Sequence, residues 1–166
     1  MLAKEEKMSG LERTLASVLV DRYIANAARV RELASPLTDK QFWQKPFPYG
    51  NSFGHLVLHL TGNLNDYIGA QIAKTGHVRD RPREFNDPSP PSKEEALKRL
   101  EGAVTMVANT IRAQSSDDWS AVYSGVGTNA TTRLAILVVC VDHMQHHIGQ
   151  MIYLGYEFQR KTDATQ

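Results

Sequence analysis

The apolar residues of this chain recur at helical spacing in four stretches, separated by segments rich in proline, glycine and small polar residues. That pattern constrains the fold most, because apolar residues three and four apart line one side of a helix. No strand-like alternation of useful length competes with it. The first stretch covers residues 11–33, with Leu11, Leu15, Leu19, Tyr23, Ala27 and Val30 along one face. It ends ahead of Ser35-Pro36, since the residue before a proline avoids the α region. Residues 38–50 hold two prolines and the aromatics Phe42, Trp43, Phe47 and Tyr49, and read as a packed loop with a short helical turn after Thr38. The second helix is expected from Asn51 or Ser52, both good N-caps, to Thr75, with Gly76 just past its end.

Residues 79–91 contain four prolines and alternating charges without a period, and read as a crossover loop whose charges are solvated. Ser92-Lys93-Glu94-Glu95 has the pattern of a capping box opening the third helix. Leu97, Leu100, Val104, Val107 and Ile111 supply that helix with its buried stripe. Residues 115–131 are irregular, and the fourth helix is expected from Asn129 or Thr131 to Leu154, closing at Gly155. Its apolar residues cover more than half of the circumference, so it is central or buries a second face against another copy. The expected architecture is all-α: one domain over residues 1–166, a four-helix bundle with long crossover connections.

Length and charge narrow the function classes. A chain of 166 residues supports one sizeable core and is short for two. A net charge of +1, with no Lys/Arg stripe, gives no field for nucleic acid or acidic lipid. The longest apolar run, residues 134–141, is too short to cross a bilayer. The opening Met-Leu-Ala-Lys-Glu-Glu-Lys lacks a secretory apolar core. The single cysteine, Cys140, permits no intrachain disulfide. These features fit a cytoplasmic protein with no nucleic-acid or membrane partner, and none of them identifies a function.

Histidine is sparse enough for its placement to be informative. Of six, His55 and His59 fall in the second helix and His143, His146 and His147 in the fourth, with His77 just past the second. At about 100° per residue, His143 and His147 project within about 40° of each other. Such a pair can present two imidazole nitrogens to one ion. Ile136, Cys140, Met151 and Leu154 share that face, so it is the core side, where an unpaired polar ring is costly. His146 points away, beside Asp142 and Gln150. His59, flanked by Leu56, Leu60 and Tyr67, is the preferred third ligand, with His55 at the rim. Three histidines with an open position form the arrangement of catalytic rather than structural metal. Imidazole suits zinc, nickel, copper and ferrous iron alike. Asn63, Asp142 and Gln150 are candidates to orient the rings. Cys140 reads as inert packing, while Asp66 and Tyr67 lie close enough to line a cavity.

The run His143-Met-Gln-His-His147-Ile-Gly-Gln150 resembles the fourth-helix signature of the DinB-like superfamily, and Asn51-Ser-Phe-Gly-His-Leu-Val-Leu-His59 resembles its second-helix motif. The resemblance implies a four-helix bundle of up-down-down-up topology, frequently dimeric. It further implies a three-histidine site for a divalent metal, nickel or zinc, at His59, His143 and His147. Characterised relatives include transferases and isomerases that use low-molecular-weight thiols. Ile148 stands where arginine is usual after the paired histidines, which removes a cation near the motif. Three functions follow as expectations: a thiol-dependent metalloenzyme acting on a small electrophile, a metal-dependent hydrolase, or a non-enzymatic metal- or small-molecule-binding stress protein.

Overall fold

The computed structural model describes residues 8–125 and 127–163; the opening heptad read above lies outside the described residues. Helix α1 spans Gly10–Ala34 and opens with a reciprocal cap between Ser9 and Glu12. Its buried stripe runs Ala16, Leu19, Val20, Tyr23, Ala27 and Val30. Leu11, expected on that face, is instead 79 % exposed, because residues four apart drift by about 40° per step around the helix and Leu11 ends about 120° from Tyr23. A short helix α2, Asp39–Trp43, follows Thr38, whose side chain accepts from Gln41 N. It places Phe42 in the core edge-on to Trp43.

Helix α3 spans Phe53–Leu64 from the Ser52 cap and continues as a π-helical turn over Asn65–Ala70. The expected α-helix to Thr75 therefore stops early, and the wider turn shifts the register of Asp66 and Tyr67. Gly76 has φ +76°, the left-handed conformation that suits it to follow a helix. Residues 79–91 are not wholly loop: helix α4, Arg81–Asn86, starts at Asp80, which accepts from Arg83 N, with Pro82 in its first turn. Helix α5 covers Lys93–Arg112, its Ser92 accepting from Glu95 N at 3.2 Å. The reciprocal half of that expected capping box is replaced, since the Glu95 carboxylate accepts from Arg99 Nε at 2.8 Å.

Helix α6 is Ser116–Ser120, and an isolated bridge pairs Val122 with Thr132 before helix α7, Arg133–Asp163. Helix α7 passes straight through Gly155, where closure was expected. Glycine tolerates the helical conformation, and Phe158, 5 % exposed, keeps the next turn packed on the core. Helices α1 and α3 each pack against both α5 and α7, around one core that includes Tyr23, Phe53, Leu60, Leu100, Ile136 and Met144. The Tyr23 hydroxyl donates to the Leu137 carbonyl at 2.7 Å, tying α1 to α7. Among the described residues the fold is all-α, and no helix is long and apolar enough to cross a membrane.

Candidate metal centre

The packing of α3 against α7 brings His59, His143 and His147 together, and one nitrogen from each lies within 4.8 Å of the others. Nε2 of His143 is 3.0 Å from Nε2 of His59 and 3.2 Å from Nε2 of His147. His59 and His147 are 8 % and 9 % exposed, and His143 is half-buried. Leu60 and Met144, fully buried and next in sequence to His59 and His143, anchor the backbone from which those two rings project.

Hydrogen bonds set the tautomers of two rings. His59 Nδ1 lies 2.8 Å from Oε2 of Glu84. An ionised carboxylate only accepts, so Nδ1 carries the hydrogen and Nε2 presents its lone pair. His147 Nδ1 lies 2.7 Å from Oε1 of Gln150, and the same assignment follows. Bare imidazole nitrogens that share one ion at about 2.0–2.1 Å stand roughly 2.9–3.4 Å apart for angles between square and tetrahedral. Both observed separations fall in that interval, and the donor set fits a divalent metal ion.

Glu84 comes from the segment whose charges are expected to be solvated, and it is instead buried. Its side chain is 7 % exposed and takes Nε of Arg79 at 2.6 Å as well as the His59 ring. Helix α4 also sets Phe85 against His59, ring centroids 5.3 Å apart. Arg79, 12 % exposed in its side chain, lies 3.7 Å from Asp66 and over the Tyr67 ring. Burial opposes ionisation of Glu84, but the His59 and Arg79 hydrogen bonds outweigh it and hold the carboxyl below its ordinary range. Gly62 is what lets Glu84 in: a β-carbon at that position would collide with Oε1 of Glu84. Gly62→Ala is therefore expected to weaken zinc binding although it alters no ligand, as a competitive chelator titration would register.

Of the other orienting candidates, Gln150 takes the role assigned to it. Asp142 is exposed and makes no hydrogen bond to a histidine ring among the described residues. His55 stays outside the cluster, its Nδ1 accepting from Ser52 N at 3.2 Å and its ring against Trp43. His146 is exposed, and its Nε2 sits 3.3 Å from Gln150 Nε2. Cys140 is 1 % exposed and burial pushes its thiol up to about 12, in keeping with inert packing.

Burial pushes His143 down to about 4, with the neighbouring His147 and His59 adding to the shift, and burial also lowers His147. Both rings are thus neutral, ligand-competent bases at neutral pH. Because the unfolded chain binds these protons near pH 6.5 and the folded chain does not, acid favours unfolding. The melting temperature of metal-free protein is expected to fall as pH drops from about 6.5 toward about 4 and then to level in this contribution. His143→Gln should flatten that fall in a pH series of thermal melts.

Beside His59 and His143 lies a cavity of about 450 Å³, lined further by Asn63, Tyr67, Arg79, Arg81, Gly127 and Thr128. Gly127, at φ +86°, lets the loop close over Tyr67, whose hydroxyl donates to its carbonyl at 3.1 Å. The crystal structure of a conserved protein from Enterococcus faecalis is similar in fold, with a TM-score of 0.69 and 19 % identity, covering 85 % of this chain and 95 % of that one. No curated protein matches the chain. The family profile described as the DinB superfamily matches residues 22–151, from within α1 through the histidine pair, and the chain belongs to that superfamily.

Proposed function

We propose that the protein is a metal-dependent enzyme in which a low-molecular-weight thiol attacks a small electrophilic molecule. The observation that supports it most is the convergence of three imidazole nitrogens at the edge of a ligand-sized cavity. His59, His143 and His147 hold the ion, nickel or zinc, for which a neutral imidazole set is suited. A divalent ion there supplies a Lewis acid with free coordination positions, which favours the thiolate form of a thiol near neutral pH. Glu84 and Gln150 keep the hydrogens on Nδ1 of His59 and His147, so that both Nε2 atoms face inward. Phe85 covers one side of the His59 ring. In the reaction the thiol proton goes to solvent, sulfur forms the new bond to carbon, and the displaced bond's electron pair stays with the leaving group or the adjacent unsaturated centre.

Hydrolysis is the weaker reading because its two candidate bases are engaged elsewhere. Asp66 faces Arg79, and the Nδ1 lone pair of His55 accepts from the Ser52 backbone. A purely structural ion, as in a metal-binding stress protein, would need its coordination closed by protein atoms, whereas the cavity reaches His59 and His143. The reading includes a homodimer through α7, on which Val138, Val139, Tyr153 and Tyr156 are exposed. Sedimentation as a monomer at micromolar concentration would remove that part. The test of the thiol chemistry is a titration of cobalt-substituted protein with small thiols. A sulfur-to-cobalt absorption band that saturates is expected, together with thiol-dependent consumption of electrophiles. Full metal occupancy with neither response overturns the proposal.

A further inference from the structure

Asn63 is 5 % exposed, yet its Oδ1 has no hydrogen-bond partner among the described residues. It lies one turn beyond His59 on α3 and lines the same cavity. A buried carbonyl left unpaired is costly, and an apolar side chain of similar size would occupy the position without that cost. Tyr67, one turn further on, does not meet the need, since its hydroxyl donates to Gly127. An incoming hydrogen-bond donor would.

The cavity is also lined by a cation that has no direct ion-pair partner among the described residues. Arg79 is matched by Glu84 and Asp66. Arg81, the first residue of α4, also lines the cavity, with its guanidinium 5.9 Å from the Phe85 ring centroid. No ion pair to Arg81 occurs among the described residues. With two arginines facing two carboxylates, the charge of an ion at the histidines would be uncompensated, which favours an anionic ligand.

We infer that the cavity binds a small anionic molecule that also bears an amide N–H or a hydroxyl, its donor satisfying Asn63 Oδ1 and its anionic group meeting Arg81. A volume of about 450 Å³ suits a compact metabolite rather than a polymer segment. The inference rests on the function proposed above only for which end of that molecule faces the histidines.

The experiment is calorimetric titration of zinc-loaded, untagged protein with three probes: N-acetyl-L-cysteine, its neutral amide N-acetyl-L-cysteinamide, and 3-mercaptopropionate. The free acid should bind about fivefold more tightly than its amide, as an exposed ion pair allows. Arg81→Gln should erase that preference while leaving the affinity for the amide unchanged. Asn63→Leu should weaken N-acetyl-L-cysteine by roughly three- to tenfold and spare 3-mercaptopropionate, which has no amide to donate. Equal binding of acid and amide to the wild type overturns the inference, as does an Asn63→Leu loss shared by both acids. Arg81 is exposed, so its variant folds whatever becomes of the other. The S-methyl derivative of N-acetyl-L-cysteine separates the two readings. Should it bind as tightly as the free thiol while keeping its dependence on Arg81 and Asn63, the thiol reading falls and the recognition site stands.

Discussion

Glu84→Ala is expected to lower zinc affinity by about 10- to 100-fold, the usual consequence of removing a group that orients a metal-binding histidine. The reason is local. Without the carboxylate 2.8 Å from Nδ1, the His59 hydrogen is free to move to Nε2, and the lone pair then points away from the other two rings. Glu84→Gln keeps an acceptor oxygen for Nδ1–H but loses the charge that faces Arg79, so its affinity should lie between wild type and Glu84→Ala. Metal-free Glu84→Ala should also melt lower, because Arg79 stays largely buried with only Asp66, 3.7 Å away, as a carboxylate partner. Competition against a chromophoric chelator orders the three proteins. Wild-type affinity in Glu84→Ala would mean that the tautomer of His59 is set by something else.

Leu60→Ala should have the reverse profile. Leu60 is fully buried next to His59 and faces the core rather than the cavity. Truncation leaves a void and costs about 2–5 kcal/mol. For a chain of this size each kcal/mol lowers the melting temperature by about 2–4 °C. Zinc affinity of the folded protein should stay within a few-fold of wild type, because no ligand or orienting hydrogen bond is touched. A thermal melt paired with a zinc titration separates the two effects. An unchanged melting temperature would contradict the assignment of Leu60 to the core.

The contrast between Leu60 and Glu84 shows what the sequence carries. Apolar periodicity placed the long helices, and wheel geometry brought His143 and His147 to the core side while sending His146 to the surface. Gln150 was legible for the same reason, being three residues from His147 on one helix. Glu84 was not legible. Its partner is twenty-five residues away, and a buried carboxylate in a proline-rich segment looks like any solvated charge until the fold is known. A faint signal existed in Asp80 followed by Pro82, an N-cap with proline in the first turn, which marks a helix start. The π-helical turn at Asn65–Ala70 and the passage of α7 through Gly155 depend on tertiary packing that overrides local propensity.

The central claim, that His59, His143 and His147 bind one divalent ion, is tested most directly by elemental analysis of untagged protein beside its His147→Ala variant. About one nickel or zinc per chain is expected in the wild type. The variant should lose that ion while circular dichroism shows its helical content unchanged. Equal metal content in the two proteins, or a wild type that retains neither ion after exposure to both, would contradict the account.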